Sequence, residues 1–212
     1  MSVAYAEIKN HSEAVHFAKA ADGLSALHDP QCAAAIWNRP LPQGFQNWID
    51  GLDPDQLPAT RTVLRPDVIR QAVSYLCDGA AMELCAERDW LISDIADLSQ
   101  RFATIMGAPY LRLRLGVITT NACCKFHIDA IKARLICTYR GTATQYGFAQ
   151  DGVDPRDVAT VPTGSPMVMR GTLWPENPVS NLKHRSPPIA GTGETRLVLV
   201  LDLIFDLEED LG

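Results

Sequence analysis

The sequence predicts an α+β fold, with a helical N-terminal half packed on a C-terminal closed double sheet of jelly-roll or cupin type. Two observations carry this. Apolar residues recur at helical spacing up to about residue 106, and from Tyr110 onward they alternate with a period of two. The second half then breaks into short apolar runs between Gly and Pro turns, the pattern of a barrel or sandwich. At 212 residues a single domain spanning 1–212 is expected, with 1–109 as a mainly helical buttress and 110–206 as the β-barrel core.

The elements follow in order. Residues 1–64 are weakly patterned, because Pro40, Pro42, Pro54 and Pro58 cut them into short pieces, with one helix expected around Phe45 to Leu52. Pro66 suits the first turn of a helix reaching about Cys77, whose apolar face is Val68, Ile69, Ala72, Val73 and Leu76. Leu91, Ile95, Leu98, Phe102 and Ile105 form one stripe of a longer helix, which Gly107 and Pro109 end. Leu111, Leu113, Leu115 and Val117 alternate with Arg112, Arg114 and Gly116, so a strand begins at Tyr110. Further strands are expected over Phe126 to Asp129, Arg134 to Tyr139, Pro166 to Arg170, from Leu182 to His184, and over Arg196 to Ile204. Gly141, Gly171, Pro187-Pro188 and Gly191-Thr192-Gly193 supply the turns between them.

Composition narrows the function classes. Apolar residues are 47% and charged ones 21%, ordinary values for a globular chain. A net charge of −6 gives no electrostatic footprint for nucleic acid. No apolar run approaches the roughly 20 residues that span a membrane. Met1 to Lys9 shows no basic stretch leading into an apolar core, and Cys32, Cys77, Cys85, Cys123, Cys124 and Cys137 form no disulfide framework. A cytoplasmic location is therefore expected.

The chemistry concentrates in the second half. His127 and Asp129 flank one residue, so on a strand they point to the same face. His184 follows 57 residues later and can close a two-histidine, one-carboxylate facial triad, the ligand set of non-haem Fe(II) oxygenases. Arg196, 12 residues beyond His184, leads the apolar run Leu197 to Leu201, where an inward arginine needs an anion. The alternatives are a turn-capping Asp129 with a hydrogen-bonded core His184, and a salt bridge from Arg196 to Glu194 or Asp202. Arg185 and Arg134 are further candidates for the same anion, and Tyr139, Thr138 and Trp174 are candidate pocket groups, Trp174 within a Gly171 to Leu182 loop; which face of the 134–139 strand points inward stays open. Arg112 and Arg114 share a face, expected to be solvated, with a substrate clamp as the alternative. Cys124-x-x-His127 has zinc-like spacing, without a second half-site.

These strings resemble the Fe(II)/2-oxoglutarate-dependent oxygenases over roughly residues 111–204. Asn121 to Asp129 looks like the strand carrying their H-x-D motif, Thr138 to Thr144 like the strand and turn that follow, and Pro162 to Gly171 like the Gly-turn strand before the distal histidine. Lys183 to Pro188 and Gly193 to Arg196 look like the distal histidine strand and the 2-oxoglutarate arginine. The resemblance implies a double-stranded β-helix. It implies a metal held by His127, Asp129 and His184, 2-oxoglutarate on Arg196 with Tyr139 and Arg134 beside it, and oxidation of a small-molecule or peptide substrate. One position departs: many of these enzymes carry Ser or Thr two residues after the arginine, and here that residue is Val198. More closely, "FHID…RLICTYRGT" and "HRSPPIAGTGETRLVLVLD" resemble an uncharacterised bacterial family associated with zinc-homeostasis genes. That association implies the alternative function, a zinc-binding, cupin-like metal-handling or sensor protein without redox catalysis. An oxygenase or hydrolase using the triad without 2-oxoglutarate is a third reading. The helical half is expected to shape the pocket wall or the surface of a homodimer.

Overall fold

The computed structural model describes residues 15–175 and 180–208; the expectation made for Met1 to Lys9 and part of the Gly171 to Leu182 loop lie outside them. The strands are β1 Val15–Ala18, β2 Ala34–Trp37, β3 Thr60–Leu64, β4 Tyr110–Ile118, β5 Ala133–Arg140, β6 Gln145–Phe148, β7 Ala159–Thr160, β8 Met167–Arg170, β9 Leu182–Arg185 and β10 Arg196–Ile204. The α-helices are α1 Phe45–Gly51, α2 Ile69–Gly79 and α3 Ala86–Met106. No helix among the described residues is long and apolar enough to cross a membrane.

The strands form two sheets, of order β1-β2-β8-β5-β10-β4-β3 and β7-β6-β9. Every pairing is antiparallel except β1 with β2. From β4 onward the chain alternates between them. It runs from β4 in the larger sheet to a single bridge at His127 on β9 in the smaller, back to β5, over to β6 and β7, back to β8, over to β9, and back to β10. This alternation is the winding of a double-stranded β-helix, and it leaves an interior between the sheets.

Side-chain parity decides what faces that interior. On β10, Leu197, Leu199 and Leu201 join the core that packs against the helices, while Val198 packs with Ile136, Met167, Met169, Tyr146 and Leu182 between the sheets. Along β5, Leu135, Cys137 and Tyr139 take the helix side. Arg134, Ile136 and Thr138 therefore face the interior, which answers the question left open by the sequence. Helix α3 supplies the matching stripe: Leu91, Ile95, Leu98 and Phe102 are buried, and Gly107, at φ 64°, ends it in the left-handed conformation.

Three expectations need correction. The first half is not simply helical, because β1 and β2 extend one edge of the larger sheet and β3 the other. These strands escaped the sequence because they are short and carry no clear alternation; Ala34-Ala35-Ile36 is buried on both faces and reads as a plain apolar run. The expected strand over Phe126 to Asp129 is instead one bridge, His127 with His184, in an otherwise irregular segment. Val68 is not part of the buried face of its helix; it sits in a 3₁₀ turn before α2 and is exposed.

Candidate metal centre

His127 and His184 are brought together by backbone. His127 N–H donates to His184 O at 3.1 Å, and His184 N–H donates to His127 O at 3.0 Å. Residues paired this way project side chains to one face, and the two rings lie 4.5 Å apart, centre to centre. Asp129 then curls in. Its Oδ2 is 3.1 Å from His184 Nε2 and its Oδ1 is 3.7 Å from His127 Nε2. One ligand atom from each of the three lies within 4.8 Å of the others. Ligands at right angles around an ion, with bonds near 2.1 Å, sit about 3 Å apart, so the cluster needs only a small contraction to hold one.

The protonation states suit a metal. His127 Nδ1 lies 2.8 Å from Lys125 O, which directs its proton there and leaves Nε2 for the ion. Burial lowers the pKa of His184 against the pull of Asp129 and keeps the imidazole neutral. Burial alone would raise the Asp129 carboxyl. The hydrogen bond from His184 and the charge of Arg134 outweigh it and bring the pKa to about 2. An ionised carboxylate and neutral imidazoles are the ligand forms a divalent ion requires.

A buried ion-pair relay stands behind Asp129. Arg134 Nη1 donates to Asp129 Oδ2, while its Nε and Nη2 donate to Asp202 at 2.6 and 2.9 Å. Asp202 also accepts from Arg114 Nη2 at 3.2 Å. Arg134 thus lies beside the triad with its guanidinium committed to two carboxylates, where it orients Asp129. Asp202 pairs with Arg134 and Arg114, not with Arg196. The sequence offered one signal for its role, a lone acid in the apolar run Leu199 to Ile204.

Glycine 171 sets the turn under Asp129. Thr172 N donates to Asp129 O and Leu173 N to Ile131 O, each at 3.0 Å. A Cβ at Gly171 would stand 2.1 Å from Ile131 O and 2.7 Å from Asp129 O, both backbone atoms that cannot swing aside. Gly171→Ala is therefore expected to lose about 2–4 kcal/mol of stability and to weaken metal binding with it. Urea denaturation and a Mn(II) titration of the same variant check both effects.

Arg196 is placed on the inner face of β10 and is fully buried. Its Nε donates to Thr142 O at 2.6 Å, but Nη1 and Nη2 have no partner among the described residues. Burial lowers its pKa to about 10, with Glu194 pulling the other way. Thr138 faces Val198 directly across the strand pair, and its hydroxyl is also buried and unpartnered. Ser165 hydroxyl shares that condition, two residues ahead of inward-facing Met167. The interior therefore holds two guanidinium nitrogens and the Thr138 hydroxyl without partners among the described residues.

Other expectations fall away from the site. Tyr139 is on the helix side of β5, fully buried, and its hydroxyl donates to Asp94 of α3 at 2.7 Å. Asp94 also takes both terminal nitrogens of Arg39, at 2.5 and 2.6 Å, so Tyr139 belongs to a tie between helix and sheet. Tyr146 replaces it as the aromatic of the interior, paired across from His184. Arg185 donates to Gln145 at 2.8 Å and stacks on Phe126 at 4.3 Å. Trp174 packs on the helix-side core beneath Arg170. Among the described residues no cysteine joins a metal-binding cluster, so the spacing Cys124-x-x-His127 forms no zinc site.

Residues 18–202 match the family described as "Protein of unknown function (DUF1826)". The chain belongs to the DUF1826 family. No curated protein matches this family member in sequence. Solved structures with a similar outline include the rice dioxygenase for auxin oxidation, at 13% identity and TM-score 0.47, over 90% of this chain and 82% of that one. The dioxygenase for auxin oxidation 1 of Arabidopsis thaliana, in its 2-oxoglutarate complex, aligns at 14% identity and TM-score 0.40, over 71% of this chain and 64% of that one. A Pseudomonas putida prolyl-4-hydroxylase aligns at 14% identity and TM-score 0.36, over 80% and 98% respectively. At these scores the likeness says nothing about the reaction of this DUF1826 protein, which has to be read from its own residues.

Proposed function

We propose that the chain is an Fe(II)- and 2-oxoglutarate-dependent oxygenase. The observation that carries this reading is Arg196, a fully buried cation whose two terminal nitrogens have no protein partner among the described residues. A buried charge without a partner is costly, and a carboxylate taken from solution satisfies it bidentately. Thr138 adds a buried, unpartnered hydroxyl across the strand pair. Thr138, opposite Val198, supplies across the strand pair the hydroxyl that many related enzymes place on the arginine's own strand.

The donor set fits the metal. His127, His184 and Asp129 offer two imidazoles and a carboxylate on one side of an ion, without thiolate, which suits Fe(II) and leaves sites for a chelating acid. Fe(II) with 2-oxoglutarate would supply the oxidising power for attack on a substrate C–H bond. The chain's own part is to bind and orient. Asp129 is kept ionised and aimed by Arg134, His127 is fixed in one tautomer by Lys125 O, and Arg196 anchors the far carboxylate of the co-substrate.

Anaerobic Fe(II) and 2-oxoglutarate added together are expected to give a weak visible charge-transfer band, and aerobic incubation is expected to convert 2-oxoglutarate to succinate. Tight zinc retention with neither signal would replace this reading with a metal-handling protein.

A further inference from the structure

Next to the triad, the inner face of the larger sheet carries more positive charge than it neutralises. Arg61 of β3 stands directly across from Arg114 of β4, and Leu64 and Leu113 pack on the helix side, so the two arginines share the inner face. Like charges directly opposite on a strand pair are destabilising. Arg61 is exposed and makes no ion pair with any described residue. Arg114 reaches Asp202 through Nη2 only, and its Nε is buried without a partner. Asp202 is itself nearly sealed, and it already accepts two bonds from Arg134. Its charge is therefore spent inward. Burial, and then the charges of Arg134 and Arg61, hold the pKa of Arg114 below its ordinary value against Asp202. What remains is an edge of two guanidinium groups, open to solvent, joined to Asp129 through Asp202 and Arg134.

We propose that this edge anchors the substrate, a small molecule bearing an oxyanion, carboxylate or phosphate, which Arg61 and Arg114 hold beside the metal triad. The word substrate rests on the oxygenase reading; the anion site does not. It is separate from the Arg196 pocket. Arg196 pairs with Ile118 at one end of the β10–β4 ladder, is sealed from solvent, and suits a buried acid. Arg114 pairs with Val200 at the middle of that ladder, with Arg61 across from it on β3, and it reaches Asp202 while keeping a third of its side chain exposed. Arg196 and the Arg61–Arg114 pair then define two acids, one deep and one open to solvent, with Asp129 joined to the open one through Asp202 and Arg134. Arginine is the residue that recognises such planar or tetrahedral oxyanions by paired hydrogen bonds.

Fluorine NMR tests this with three probes, 4-fluorobenzoate, 4-fluorophenyl phosphate and neutral 4-fluorobenzamide. The charged probes are expected to broaden with the wild-type protein and the amide to stay sharp; whichever acid binds tighter identifies carboxylate or phosphate. Arg61→Glu is expected to weaken binding by about tenfold, the scale of one lost charged hydrogen bond. Arg70→Glu, an exposed arginine of α2 away from the site, is expected to leave it unchanged. Equal broadening by the amide, or unchanged affinity in Arg61→Glu, overturns the proposal. Mn(II) is then added. Relaxation of the bound probe by Mn(II) places the anion beside the triad, and bound Mn(II) without such relaxation overturns the proposal. If Mn(II) does not bind while the Arg61 effect stands, the oxygenase reading fails and the anion site survives.

Discussion

Asp129→Ala is expected to abolish metal binding while leaving the fold in place. The carboxylate is the only anionic donor of the triad, and both histidine Nε2 atoms converge on it. Losing an outer partner of a metal ligand costs about 10–100-fold in affinity, so losing the ligand itself is expected to exceed that range. The fold survives because Arg134 keeps its two-pronged contact with Asp202. One guanidinium edge does lose its acceptor, at a cost of about 1–3 kcal/mol. Two measurements separate these effects. Calorimetric titration with Mn(II) reads the metal term directly. Chemical denaturation with and without Mn(II) at ~100 times its dissociation constant reads about 2.7 kcal/mol of added stability in the wild type. That increment should vanish in the variant, whereas the metal-free stability shifts only modestly. If Asp129 were a turn cap, wild type and variant would respond alike to Mn(II).

The same residues show what a single sequence can carry. The triad was legible because the H-x-D spacing and a distal histidine are one-dimensional signals, although the strand that the spacing implied is only a bridge at His127. Arg196 was legible for the same reason, as a charge in an apolar run. Tyr139 was misjudged because it lies one residue from Thr138 on a strand with polar and apolar groups on both faces; only packing against α3 shows that Tyr139 turns to Asp94 and Thr138 to the interior. The barrel winding was legible from the turns, but not its edges. β2 and β3 gain their partners from β8 and β4 far along the chain, β1 is added only through β2, and four or five residues carry too little pattern to announce those pairings. The relay through Asp202 was invisible for a related reason. Arg134, Arg114 and Asp202 meet only through strand register, which no local spacing encodes.

Arg196→Met is expected to have opposite effects on stability with and without 2-oxoglutarate. In the folded protein burial depresses the arginine pKa to about 10, below its ordinary value. A cation whose folded pKa is lowered penalises folding wherever it is charged. The penalty is therefore fully present below about pH 10 and fades as pH rises from there toward the ordinary arginine value. At neutral pH it is in force, and two donors stay unpartnered. Methionine fills similar space without charge, so the metal-free variant is expected to gain about 1–2 kcal/mol, less what is lost with the single bond to Thr142 O. Saturating 2-oxoglutarate should then raise the melting temperature of the Mn(II)-loaded wild type and leave that of the Mn(II)-loaded variant in place, with Mn(II) affinity equal in the two. The crossing of the two stability orders is the diagnostic result. A residue kept only for packing would destabilise when replaced and would leave the 2-oxoglutarate response intact. An anion anchor costs stability until its ligand arrives.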